Sequence, residues 1–228
     1  MKTCIAKLLI AASVGAFTLA QAQGSVTSVF PSNPIRIIVP LNPGGSTDIL
    51  GRSTGQELTK AWGEPIVVDN FPGAISSVRD DMAAKAPADS YTLLNRHIGT
   101  LAVSSSYPRL PYDPVKSFTP EAWVACVPDA LVVSSPQRMA AQAALPDLPT
   151  VAEPAYKSFK TDQWYGVVAP ANTPHQLVLQ LNAQINRSLD SVDLKSRLTN
   201  KSAIATSPTP EAFGQLIMRE IARWNPVI

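Results

Sequence analysis

Six consecutive residues, Pro43, Gly44, Gly45, Ser46, Thr47 and Asp48, form the densest concentration of possible chemistry in the chain of 228 residues. Two adjacent glycines let a backbone approach a ligand closely. A helix beginning there presents unbonded N–H groups and the positive end of its dipole, which together favour an anion such as a carboxylate. Asp48 would repel that anion, so its expected task is to cap the helix, leaving Ser46, Thr47 and backbone amides to face a ligand. The same residues also read as a plain glycine-rich turn closed by Asp48, with no ligand. Ile98, Gly99 and Thr100 make a second, shorter candidate wall after a predicted strand. The two histidines, His97 and His175, have no spacing to cysteine or carboxylate that resembles a metal site. His175 falls on the second position of a predicted surface helix, where solvation explains it, and nothing in the spacing pairs His97 with a serine nucleophile. Gly-x-Ser-x-Gly, Walker A and Gly-x-Gly-x-x-Gly patterns are absent. Residue spacing thus names no catalytic residue, metal ligand or cofactor, and binding without turnover is the expectation.

The elements that must position the glycine loop follow from the flanking pattern. Ile35 to Val39 is a continuous, mostly β-branched run of the kind found in a strand buried on both faces, and Pro40 ends it. Thr47 and Asp48 are candidate N-caps for a helix running to Trp62, weakened at Gly51 and Gly55 by roughly 1 kcal/mol each against alanine. A second strand is predicted at Pro65 to Val68, a helix near Val78 to Lys85 and a third strand at Tyr91 to Leu94. This βαβαβ order implies a parallel sheet with helices on its faces, with the loop at a strand's carboxyl end, where open α/β sheets bind ligands. Phe118 to Val133 reads as strand. Trp164 to Val168 reads as another, followed by a helix opened by Thr173-Pro174 with Leu177, Leu181, Ile185 and Leu189 in one stripe. Shorter helices are predicted at Val192 to Thr199 and after Thr209-Pro210.

The first 22 residues read as an export leader. Lys2 and Lys7 precede an apolar run from Leu8 to Leu19, and Ala20-Gln21-Ala22 is a small-x-small cleavage pattern, so removal after Ala22 is expected. The segment from 23 to 34 is expected to be mobile. With the leader's two lysines gone, basic and acidic residues balance, which implies neither a nucleic-acid footprint nor a polybasic membrane patch. Cys4 leaves with the leader and Cys126 stands alone, so the fold must be held by its core rather than by an intrachain disulfide.

Several segments taken together resemble the Bug family of periplasmic solute receptors, the substrate-binding components of tripartite tricarboxylate transporters. They are Ile35-Arg36-Ile37-Ile38-Val39-Pro40 with Pro43 to Asp48, Tyr91-Thr92-Leu93-Leu94, and Leu110-Pro111-Tyr112-Asp113-Pro114-Val115-Lys116-Ser117-Phe118-Thr119-Pro120. Leu145 to Glu153, Trp164-Tyr165-Gly166, Ala169-Pro170 and Leu181-Asn182-Ala183 agree on the C-terminal side. The resemblance implies an α/β, type II periplasmic-binding-protein-like fold, with a mixed sheet flanked by helices and a cleft that grips a small carboxylate or dicarboxylate. It implies a periplasmic address, inner-membrane permease subunits as partners, no cofactor, and ligand contacts from Pro43 to Asp48 and from Ile98, Gly99 and Thr100.

The chain also departs from that family. Val133-Ser134-Ser135-Pro136 runs almost directly into Ala144-Leu145-Pro146, so most of the second lobe, its ligand-gripping loop and the strand returning to the first lobe are expected to be missing. The expected division is a first lobe from 35–117 and 145–228, with 118–144 a vestige of hinge and second lobe. A strand from Trp123 to Val133 stripped of its partners would be a free edge. The family's glycine-rich turn after Pro72-Gly73-Ala74 is altered to Ile75-Ser76-Ser77, and the charged Arg79 and Asp80 follow. These departures imply weakened binding; the alternatives are a non-functional remnant of such a receptor or a one-lobed envelope docking or sensor module.

Overall fold

The computed structural model describes residues 30–71, 77–105, 109–129 and 162–224. The expected leader, the altered turn at 72–76 and the shortened central segment lie outside the described residues. In chain order the elements are β1 (Ile35–Val39), α1 (Ser46–Trp62), β2 (Ile66–Asn70), α2 (Ser77–Ala84), β3 (Thr92–His97) and α3 (Ile98–Ser105). They continue with β4 (Phe118–Pro128), β5 (Asp162–Pro170), α4 (His175–Leu189), α5 (Val192–Thr199), β6 (Ile204–Ala205) and α6 (Pro210–Trp224).

One sheet of six strands runs in the order β2-β1-β3-β5-β4-β6. β1 pairs in parallel with β2 and β3, as the βαβαβ pattern predicts, while β5 runs antiparallel to both β3 and β4. The carboxyl ends of β1 to β4 therefore share one edge with the start of β5. Alternation along the strands divides the core between two faces. Ile35, Ile37, Val39, Leu93 and Val167 pack with Leu50 and Leu58 of α1 and with Leu181, Ile185 and Leu189 of α4. Ile38, Leu94, Trp164 and Val168 pack with Leu101 of α3 and with Phe213 and Ile217 of α6. Burying such side chains stabilises by about 1.5–3 kcal/mol each.

Two expectations about the centre of the chain are corrected. A returning strand is present: β4 leaves the sheet at Pro128, and β5 enters it at Asp162 directly opposite, inserted between β3 and β4. In its described part β4 is paired on both sides, by β5 along its whole length and by β6 at Ala125 and Cys126, while residues 130–133 of the expected edge lie outside the described residues. Phe118 to Pro128 consequently belongs to the sheet itself rather than to a hinge. The mobility expected from 23 to 34 is not what its described end shows: Phe30 is buried against the rings of Trp62 and Tyr91, with centroids 5.9 and 5.3 Å away.

Local signals met their predicted positions unevenly. α1 starts at Ser46, with Gly45 as N-cap in extended geometry, so Thr47 and Asp48 lie inside the first turn rather than before it. The weak helix positions Gly51 and Gly55 are where α1 presses on the sheet. A Cβ at Gly51 would stand 3.0 Å from Asn95 Nδ2, and one at Gly55 3.1 Å from Ile66 Cγ2. Thr209 caps α6 by accepting the Ala212 N–H at 3.3 Å. Thr173, in the same Thr-Pro context, instead donates to the Pro170 carbonyl at 2.8 Å, and Pro174 stands at the N-cap of α4.

The loop from 109 to 117 is latched to the second face by a buried charge. Arg96 on β3 and Asp80 on α2 are 1% and 0% exposed and approach to 3.4 Å. Tyr112 donates to the same Asp80 oxygen at 3.1 Å, and Arg96 Nη1 donates to the Pro114 carbonyl at 2.8 Å. The guanidinium also lies 4.7 Å from the Phe118 ring. Burial pushes the Asp80 carboxyl up, against the pull of Arg96 and Tyr112. Asp113 accepts the Val115 and Lys116 N–H groups at 2.9 and 2.8 Å, and those bonds hold it below the usual carboxylate range.

Candidate functional site

The loop after β1 reaches the shared strand edge with Pro43, Gly44, Gly45 and Ser46 exposed and Thr47 and Asp48 buried. Gly44 takes φ +83°, a conformation that favours glycine, and this turns the chain into α1. The first intrahelical bond is Ile49 N–H to the Gly45 carbonyl at 3.0 Å, so the amides of Ser46, Thr47 and Asp48 precede the helical ladder. Asp48 turns back into its own loop, accepting the Gly44 N–H at 2.8 Å and pairing with Arg52 Nε at 2.8 Å. Burial raises its pKa, but the Gly44 amide, Asn70 and Arg52 outweigh that and hold the carboxyl below its usual range. Arg52 also donates to Asn70, whose Nδ2 donates to the Leu41 carbonyl at 3.3 Å. The acid is thus committed to loop structure, and the exposed rim presents amides and the Ser46 hydroxyl.

Ile98, Gly99 and Thr100 form the first turn of α3, again following a parallel strand's carboxyl end. Thr100 is 2% exposed, and its hydroxyl donates to the His97 carbonyl at 2.7 Å, so that side chain is spent on the turn. The Gly99 N–H donates to Nδ1 of His97 at 3.0 Å. Burial, with the neighbouring Arg96 charge, pushes the imidazole down to about 4.

Asn95 joins the two walls. It is 2% exposed, and its Nδ2 donates to the Thr47 carbonyl at 2.8 Å, tying β3 to the first turn of α1. Tyr165, opposite His97 in the β3–β5 register, lies with its ring 5.9 Å from the imidazole. Burial raises the Tyr165 phenol, and a hydrogen bond with Ser46 opposes that rise. The phenol donates to Gln163 Oε1 at 2.8 Å. Asn95, His97 and Tyr165 therefore form a polar floor between the walls. Spacing alone did not bring these three together; the one signal for Tyr165 was its place in the Trp164-Tyr165-Gly166 motif.

His175 stands exposed at the start of α4, 3.7 Å from Glu211 and away from this edge. Among the described residues no group of histidine, cysteine and carboxylate side chains could hold a metal ion, and no helix is long and apolar enough to cross a membrane. Two cavities lie away from this edge. One of about 370 Å³ sits between α1 and β2, bordered by Arg52, Lys60 and Arg197; one of about 170 Å³ sits beneath α6.

The chain and its fold have counterparts among known proteins. The family model described as the tripartite tricarboxylate transporter family receptor matches residues 50–141 and 130–228. A UPF0065 protein from the tcbD-tcbE intergenic region of Pseudomonas sp. (strain P51) is 25% identical over 304 positions, taking in 93% of this chain and 90% of that protein. BugT of Bordetella pertussis is 26% identical over 291 positions, covering 87% of this chain and 89% of BugT. The solved structure of MatC from Rhodopseudomonas palustris with bound malate aligns with a TM-score of 0.74 at 26% identity, over 87% of this chain and 99% of MatC. Both sequence alignments are longer than the 228 residues present, so each must cross a long gap in this chain. With the family model matched across most of its length, this chain belongs to the Bug-type receptors of the tripartite tricarboxylate transporters and is shorter than its relatives.

Proposed function

We propose that the protein is a periplasmic solute receptor that holds a small carboxylate or dicarboxylate without chemical turnover and serves inner-membrane permease subunits of a tripartite transporter. The observation that carries the reading is the exposed rim Pro43 to Ser46, with the amides of Ser46, Thr47 and Asp48 ahead of the first helical bond at the strand edge. Backbone donors at a helix start complement a carboxylate, and the acid beside them is turned away into the loop. Membership of a receptor family and the fold shared with malate-bound MatC support the same ligand class. In this reading Pro43 to Asp48 and the first turn of α3 at Ile98, Gly99 and Thr100 are the ligand's two walls, and catalysis is no part of the role.

Binding is weakened in this form. Pockets normally enclose most of a small ligand's surface, and the described residues supply one side of a cleft. The first lobe comprises the described sheet and its helices. Calorimetric titration of a verified monomer against mono-, di- and tricarboxylates is the test. Saturable binding of a carboxylate with a dissociation constant of about 1 mM, near −4 kcal/mol, is expected. Absence of binding across the panel contradicts the receptor role, and micromolar affinity contradicts the weakening.

A further inference from the structure

We infer that the Nε2–H of His97 is a ligand-binding donor in the floor of this cleft, placed to bond an oxygen of the bound carboxylate. The inference rests on the receptor reading and assigns one residue within it. Because Nδ1 accepts the Gly99 N–H at 3.0 Å, its lone pair is occupied and the ring proton sits on Nε2. That nitrogen is buried and has no hydrogen-bond partner among the described residues. Buried donors are almost always paired, so an orphan at a strand's carboxyl edge points to an acceptor that arrives from outside the chain. The ring is rigidly placed: a Cβ on Gly99 would stand 2.5 Å from its Cε1, so the imidazole occupies the space a side chain there would take.

Its neighbours locate it within the site. His97 and Asn95 alternate onto the face of β3 that meets α1, where Asn95 bonds the Thr47 carbonyl. Across the sheet, Tyr165 stands opposite His97 in the β3–β5 register with its ring 5.9 Å from the imidazole. The ring stays neutral at ordinary pH, since burial and Arg96 push it down to about 4. Charge complementarity therefore comes from the α1 amides, while His97 contributes direction, selecting where an oxygen of the ligand must lie.

The test uses the intact chain with ¹⁵N-labelled histidine and malate as the probe. With two histidines in the sequence, the exposed His175 is an internal control. In the free protein His97 is expected to show the neutral Nε2–H tautomer. On saturation with malate its Nε2 and Hε2 resonances should move while those of His175 stay. His97→Phe, which keeps a flat ring and removes the donor, should weaken malate binding about tenfold, and His97→Gln, which restores an N–H, should recover most of the loss. If malate shifts the amides of residues 44–48 but leaves His97 unmoved, and His97→Phe binds as wild type does, this assignment is overturned and the receptor reading stands. If neither malate nor any other carboxylate of the panel binds the wild-type protein, both fall together. The wild-type resonances decide the matter even if His97→Phe fails to fold.

Discussion

At the β1–α1 junction the chain leaves its strand through exposed glycines and folds its acid back onto its own amide, leaving the amides at the start of α1 outside the helical ladder. At the β3–α3 junction, one strand along the same edge, a histidine folds over the following glycine and takes its amide instead. Both are parallel strands turning into helices, so topology alone would give both the same anion-facing geometry. The difference lies in who consumes the first amides. The first junction leaves its first amides ahead of the helical ladder, while the second trades a backbone donor for one side-chain donor, Nε2–H, held in a fixed place. In the proposed receptor, similar backbone turns thus supply charge complementarity at one wall and direction at the other.

The second junction depends on what lies behind it, and this gives the largest expected effect. Arg96, the residue before His97, is fully buried against Asp80. Asp80→Ala leaves that charge uncompensated and should destabilise the protein by about 3–5 kcal/mol, read as a lowered urea midpoint at unchanged m. The two glycines should then behave differently. Gly99→Ala drives a Cβ to 2.5 Å from the imidazole and should cost about 1–3 kcal/mol, displacing His97. Gly45→Ala meets nothing nearer than 3.5 Å at φ −73° and should change stability by about 0.5 kcal/mol or less. Equal midpoints for the two variants would remove the contrast.

A pH series separates the junctions in another way. The His97 pKa is depressed from 6.5 to about 4 in the folded state, so between these values the unfolded chain binds more protons. Its contribution is complete above pH 6.5 and is lost as pH falls toward 4, by up to about 3 kcal/mol. His97→Gln should flatten this acid limb relative to wild type in pH-resolved urea titrations, and parallel curves would contradict the burial of the ring. The smallest effect belongs to the first junction: Asp48→Ala removes a carboxylate that caps Gly44 and pairs with Arg52, and should cost about 1 kcal/mol in thermal or urea unfolding.

The first junction could be read in the sequence because its determinants are local. A β-branched run ended by Pro40, two glycines and an acid four residues after Gly44 specify strand, turn and helix start within fourteen residues of chain. The stripe Leu181, Ile185 and Leu189 was equally plain, because burial on α4 repeats every four residues. The second junction was not, since His97 acquires its role from Gly99 beside it and from Tyr165, which β5 brings across from far along the chain. The same holds for Thr173, whose hydroxyl turns back to Pro170 where that of Thr209 caps a helix. Glu121 carries no local signal either. It is 0% exposed on β4, and burial pushes its carboxyl up to about 8. The pairing of β4 has a topological cause: β5 is supplied from farther along the chain, and composition around 118–144 does not reveal that pairing.

The receptor reading requires that the amides ahead of the α1 ladder hold a ligand's carboxylate, and a paired titration checks this. Wild-type protein and Ser46→Glu are each titrated with malate by calorimetry, the substitution placing a negative charge on the exposed first residue of α1 without touching the core. Saturable wild-type binding that weakens at least about tenfold in Ser46→Glu is the predicted result. Equal affinity in the two proteins, at matched unfolding midpoints, would contradict it.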